Sequence, residues 1–143
     1  MKIEEIDINS PLYKKTLDLR TNVISIPFGF PLPQKENETP NSRMFIAIDN
    51  GDIIGFAMIT PAPDETSIRA RQIAVTPSRQ KQGIGRQLIS QAETTAKALG
   101  YDELLLFAHT GSYQFFLKLG YIIKGDWQTG TNGLKTVLMG KKL

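Results

Sequence analysis

Along the 143-residue chain the spacing of apolar positions changes several times, and each change predicts an element. KIEEIDI sets Ile3, Ile6 and Ile8 in imperfect alternation with charges, which predicts an edge-like first strand. Ser10-Pro11 reads as a helix start, because serine can cap and proline is preorganised for the first turn. Leu12, Leu19, Val23 and Ile26 then recur at helical spacing, and the helix is expected to end before Pro27. Residues 27–42 hold four prolines among polar residues and predict a long loop, with Phe28 and Phe30 suited to line a site. MFIAI, DNGD and IIGFAMI predict a hairpin closed at Asn50-Gly51, where glycine and asparagine accept left-handed backbone. SIRARQIAV is the next strand, ended by Thr76-Pro77. Ile73 and Val75 are expected to point one way, with Arg69 and Arg71 on the same face nearer its start.

In the second half, a helix is expected from about Gly83, with Ile84, Leu88, Ala92 and Ala96 on one stripe and Ile89 and Leu99 beside it. Gly100 suits its C-terminal stop. ELLLFAH is continuously apolar and predicts a strand buried on both faces. Strand, helix and strand in succession predict a parallel crossover. GSYQFFLKLG reads as a shorter helix ending at Gly120, and YIIKGDW and LKTVLMG as a last strand pair around QTGTNG. The whole of 1–143 reads as one α/β domain with a mixed sheet and helices on both faces.

Charge changes this picture little. Seventeen Lys and Arg against fourteen Asp and Glu give +3, a mild excess that argues for no nucleic-acid partner. Phe107, Phe115 and Phe116 have the spacing of core residues rather than of a base-stacking surface. The absence of cysteine excludes thiol nucleophiles and thiolate metal sites. No run approaches the ~18 apolar residues of a membrane span, and MKIEEIDINSPLY lacks a signal core. The expected setting is cytoplasmic, with no membrane partner.

The chemistry concentrates at RQKQGIGR, residues 79–86, where a strand hands over to a helix. A helix start presents unpaired backbone N–H groups at the positive end of its dipole, and glycine lets an anion approach them. Gln80, Lys81, Gln82, Gly83, Ile84, Gly85 and Arg86 could present such N–H groups, with Arg79, Lys81 and Arg86 adding charge. The NTPase phosphate loop does not fit, since Arg86-Gln87 stands where Lys and Ser or Thr are required. The dinucleotide fingerprint also lacks its third glycine. A GxG pair alone is equally the mark of a tight turn before an ordinary helix.

Gln80-Lys-Gln-Gly83-Ile-Gly85 is similar to the pyrophosphate-binding Q/R-x-x-G-x-G/A motif of the GNAT superfamily of acetyl-CoA-dependent N-acetyltransferases. FFLKLGY resembles that family's Tyr-x-x-x-Gly-Phe-like segment, and the similarity extends over nearly the whole chain, strongest from 68 to 123. The resemblance implies a sheet of about seven strands, centrally splayed where the strand ending at Val75 parts from the one starting near Leu104. It implies that the pantetheine arm of acetyl-CoA pairs with the backbone of Ile73 and Val75. The pyrophosphate would then rest on Gln80 to Gly85 and Arg86, with the acetyl carbonyl polarised by a backbone N–H near Ala74 or Val75. No metal is implied. The implied reaction is direct acetyl transfer to a primary amine, expected to belong to a small molecule.

Three positions depart from the family pattern. Phe116 stands where a tyrosine often serves as general acid; Tyr113, one helical turn earlier, is either a substitute or a packing residue. His109, the only histidine, stands where an asparagine is common and is either a base or proton relay or simply a polar strand end. No glutamate occurs between Ser67 and Val75. Arg69 and Arg71 there suggest an acidic group on the substrate or plain solvated charges. Asp126, Trp127 and the 27–42 loop could frame the acceptor pocket. Two other readings stay open: an acyl-CoA sensor or scaffold without turnover, and an enzyme acting on a protein N-terminus or lysine. The last strands could pair across a homodimer.

Overall fold

A computed structural model describes residues 1–35, 38–64 and 66–143. β1 (Lys2–Ile6), β2 (Arg43–Asp49), β3 (Asp52–Pro61) and β4 (Ile68–Val75) form an antiparallel run. β5 (Glu103–His109) joins β4 in parallel, and β8 (Lys135–Lys142) pairs antiparallel with β5. The segment expected as one strand in YIIKGDW is broken. Its Ile122–Ile123 piece, β6, and the two-residue β7 (Gln128–Thr129) each pair with β8. Among the described residues the sheet therefore has eight strands, seven in the order β1-β2-β3-β4-β5-β8-β6 and β7 as a second, short partner of β8.

Helices cover both faces. α1 (Tyr13–Arg20) lies on one, over Met44, Ile46, Phe56 and Met58. The other carries α3 (Ile84–Ala98) and α4 (Tyr113–Lys118), over Phe45, Ala57, Ile59, Leu104 and Leu106. β3 is buried on both faces because its alternate residues feed these two cores. α3 buries the expected stripe, with Ile89 and Thr95 beside it, whereas Leu99 at its end is exposed. Among the described residues no helix is long and apolar enough to cross a membrane.

Two elements differ from expectation. The first helix does not stop before Pro27. It starts at Tyr13, widens into a π turn over Thr21–Ser25 and continues as α2 (Ile26–Phe28) to Gly29, whose φ of 72° ends it. Pro27 is tolerated because it falls in the first turn after the widened ladder, where its missing N–H is not needed. Its buried positions are Tyr13, Thr16, Leu19, Arg20, Ile24 and Ser25, while Ile26 is exposed. β5 is not buried on both faces either: Leu104, Leu106 and Ala108 are buried, but Phe107 is 52% exposed. The α1-side core ends at Ala74 on β4 and includes no residue of β5. Of the expected 27–42 loop, residues 36 and 37 lie outside the described residues.

Candidate active site

β4 and β5 share register only at Ile68↔Leu104 and Arg69↔Leu105, and beyond Arg69 they are no longer paired. The unpaired stretch runs on to Val75 in β4 and His109 in β5. Thr76 N–H donates to Ile54 O at 2.9 Å on the β3 side. Backbone groups alternate along a strand, so Val75 N–H and C=O and Ile73 C=O face the opening instead. The Gln80 side chain donates to Val75 O at 3.0 Å, which leaves the Val75 N–H as the group turned into the gap.

A bulge that no spacing of apolar positions marks lies just before this point. Met58 pairs with Arg71 and Phe56 with Ala74, so Gln72 and Ile73 together oppose Ala57. Gln72 has φ of 56°, a left-handed conformation that costs a non-glycine residue about 1–3 kcal/mol. Arg20 holds it there. Its Nε donates to Gln72 Oε1 at 2.9 Å, and its Nη1 lies 2.7 Å from Glu38 Oε1. The guanidinium also lies 4.5 Å from the centroid of the Phe56 ring. Tyr13 Oη donates to the same Glu38 oxygen at 3.0 Å. Burial first, and the Glu38 carboxylate second, push the Tyr13 hydroxyl up to about 12. Arg20 is 2% exposed. Helical spacing offers no signal for a buried arginine whose partners lie 18 and 52 positions away.

The bulge also reverses which residues share a face. Ile68 and Ala70 belong to the α3-side core, so Arg69 and Arg71 point to the other face. After the bulge Ile73 and Val75 pack against the α3-side core and Ala74 against the α1 side. Arg69 and Arg71 are therefore on the face opposite Ile73 and Val75, not on the same one. Alternation cannot reveal this, because one extra residue inverts its phase.

At the α3 start, Gly83 is left-handed at φ 82°, and a Cβ built on it meets no heavy atom within 4 Å. The first bond of the α3 ladder runs from Gln87 N–H to Gly83 O at 3.1 Å. The N–H groups of Ile84, Gly85 and Arg86 precede it. Lys81, Gln82 and Arg86 are exposed at the rim and Ile84 is buried beneath. Arg79 is committed elsewhere, to Asp49 at 3.1 Å and to Gln82 Oε1 at 2.9 Å. Arg79 and then the N-terminal ammonium hold the Asp49 carboxyl below the usual carboxylate range. Gly85 has a packing role as well: a Cβ there would lie 3.4 Å from Phe115 Cζ. The junction therefore combines N–H donors, open space above Gly83 and two cations, Lys81 and Arg86, that pair with no carboxylate among the described residues, a donor set that suits a diphosphate.

At the β5 end, His109 Nδ1 accepts from Gly111 N–H at 3.0 Å, and its ring centroid is 4.8 Å from that of Phe28. An N–H can only donate, so Nδ1 carries the lone pair and Nε2 the proton. Burial lowers the His109 pKa, which keeps this neutral form at pH 7. His109 thus offers an Nε2–H donor. Tyr113 stands edge-on to Trp127, with centroids 5.2 Å apart, and accepts from the Gln114 side chain at 3.3 Å. Phe116 is buried, edge-on to Phe115 and Tyr121. Asn132 Nδ2 donates to Phe28 O at 2.8 Å, tying the β7–β8 turn to the end of α2. Phe28 thus packs on His109, whereas Phe30 is exposed. A depression of about 800 Å³ lies at the opposite, paired end of β4, beside Pro61 and Tyr101, and contains none of these residues.

Residues 40–123 match a family model described as an acetyltransferase (GNAT) domain. The whole chain is similar to several solved structures. An aminoglycoside 6′-acetyltransferase of type Ii is 27% identical, with 99% of this chain and 97% of that one covered and a TM-score of 0.81. An acyl-CoA N-acyltransferase from Pseudomonas aeruginosa is 17% identical over 98% of each chain, with a TM-score of 0.82. A GNAT family acetyltransferase from Elizabethkingia anophelis, solved with acetyl-CoA bound, is 21% identical over 99% and 97%, with a TM-score of 0.74.

Proposed function

Because the chain belongs to the GNAT acetyltransferase family, we propose that it binds acetyl-CoA between β4 and β5 and transfers the acetyl group directly to a primary amine of a small molecule. One observation carries this reading. The strands part where the Val75 N–H faces inward, and the same backbone runs on into the N–H cradle at Gly83 to Arg86.

Bound acetyl-CoA supplies an activated acyl group and a thiolate leaving group. The chain supplies position and charge. Ile84, Gly85 and Arg86 donate backbone N–H bonds to the diphosphate, with Lys81 and the Arg86 side chain at its rim. Gln80 braces the loop through Val75 O, and Gln82 is held by Arg79. Ile73 C=O takes the place that an adjacent strand would occupy and pairs with a pantetheine amide. The Val75 N–H, just past the bulge and the amide turned into the gap, polarises the acetyl carbonyl. No carboxylate stands on β4, so the amine loses its proton to water. The His109 Nε2–H orients that water or the substrate. Tyr113 is the remaining phenol near this end and the candidate donor to the thiolate. Holding the reactants in register supplies most of the acceleration.

A small acceptor is favoured because Phe28 closes over His109 and is tied to the β7–β8 turn by Asn132. That bridge narrows the end of the cleft where an extended peptide would leave. A sensor without turnover is the second reading, favoured by the buried Phe116 at the usual tyrosine position. Calorimetric titration with acetyl-CoA, beside adenosine diphosphate, tests binding. Thiol release against a panel of amines then separates enzyme from sensor, and a cysteine-free protein adds no background. Micromolar binding with amine-dependent release supports the enzyme; binding without release from any amine supports the sensor. Absence of binding overturns both.

A further inference from the structure

On the α1 side of the sheet α2 reaches only the end of β5, through Phe28 on His109, and among the described residues the floor before it around Phe107 is left open. Phe107 is 52% exposed, and the Arg69 guanidinium lies 5.4 Å from its ring centroid. Arg71 shares the face of Arg69, one residue before the bulge. Among the described residues neither arginine has a carboxylate within salt-bridge distance, while Arg20, Arg43 and Arg79 each do. Partial burial, and then the charge of Arg71, lower the Arg69 pKa. Two like charges thus sit side by side where repulsion works against the fold, and a bound anion would relieve it.

Their place matters as much as their charge. Arg71 lies two residues before Ile73, roughly 7 Å back along an extended strand. A guanidinium there reaches a group a few bonds from an amine held at the splay. We infer that Arg69 and Arg71 recognise a carboxylate on the acceptor, so that the preferred substrate is a short-chain amine that also bears an acid. This rests on the acetyltransferase reading and narrows it. The planar fork of Arg71 grips the carboxylate in a bidentate pair, and Arg69, backed by Phe107, supplies a second charge. The same pair repels a polycation, so an aminoglycoside, the substrate named for one of the similar structures, is disfavoured here.

The test uses the full-length protein with acetyl-CoA and matched amines: β-alanine, γ-aminobutyrate and ε-aminocaproate, each beside its carboxamide, with kanamycin as the polycation. Thiol release is expected to favour the acid of at least one pair by tenfold or more in kcat/KM, as lost charged hydrogen bonds predict. That preference is expected to shrink as salt rises. Arg71→Ala should abolish it, Arg71→Lys should retain part of it, and Arg69→Ala should weaken it. Acetyl-CoA affinity by calorimetry should stay at the wild-type level in all three, which a merely structural role would not predict. Equal rates for acid and carboxamide, faster transfer to kanamycin, or no transfer to any acid with acetyl-CoA bound would each overturn the carboxylate site and leave acetyl-CoA binding standing. Failure to bind acetyl-CoA at all would remove the acetyltransferase reading, and this inference with it.

Discussion

Arg20 shows how a single residue can organise a site it never lines. Its charge is buried, and Glu38 neutralises it at 2.7 Å. Removing one partner of a buried pair costs about 3–5 kcal/mol, because the other charge stays in place. Glu38→Ala is therefore expected to lose that much stability in urea titrations. Arg20→Met removes the charge and keeps much of the volume, and should cost less; the reverse order would mean that the pair is not coupled. Tyr13 adds a pH dependence. Its folded pKa of about 12 exceeds the ordinary value of 10.0, so its contribution is complete below pH 10 and is lost as pH rises toward 12. Melting temperatures should fall across that window, and less steeply in Tyr13→Phe; Tyr121, raised in the same direction, keeps some of the slope. At Gly83 a side chain fits the space but not the backbone, whose φ is 82°. Gly83→Val is expected to weaken acetyl-CoA binding by tenfold or more in calorimetry. Its intrinsic cost is about 1–3 kcal/mol, so a folded variant should still be recovered. The glycine could be read from sequence because its neighbours mark a strand-to-helix junction. Arg20 could not, because arginine normally signals solvent and its partners come from distant segments.

At the scale of elements, the hairpin at Asn50-Gly51, the α3 stripe and the crossover into β5 were legible because each is local: a turn residue, a period, a short connection. The bulge in β4 was not. It depends on the pairing with β3 and on the Arg20 bond to Gln72. The π turn before Pro27 was hidden for a similar reason, since helical spacing says nothing about a widened ladder. The parting of β4 from β5 was expected from family resemblance, and no period in the sequence encodes it. That parting has a measurable signature. The Val75 amide faces a gap and not a neighbouring strand, so its hydrogen exchange should be faster than that of amides in β3. Acetyl-CoA should slow it markedly while leaving β1 unchanged. Equal exchange with and without acetyl-CoA would mean that the ligand does not pair with this backbone.

Across the whole molecule the two sheet faces divide the labour. The α3 side holds the larger core, and the α1 side stops short of β5, leaving a floor that reaches solvent. A ligand that bridges β4, β5 and the α3 start should stabilise the domain as a unit. At a hundredfold excess over Kd the gain is about 2.7 kcal/mol. Thermal melts with acetyl-CoA should therefore shift upward by several degrees, and adenosine diphosphate should shift them less. The mixed sheet with helices on both faces followed the expected architecture, although it has eight strands where the family resemblance implied about seven. The division of labour did not, because it turns on one inserted position. β4 is in effect two half-strands joined out of phase at Gln72. Exchanging the residue there alters a hydrogen bond, but deleting it would turn the arginines into the core or the valine and isoleucine out of it. At this position the chain is expected to tolerate a change of letter far better than a change of length.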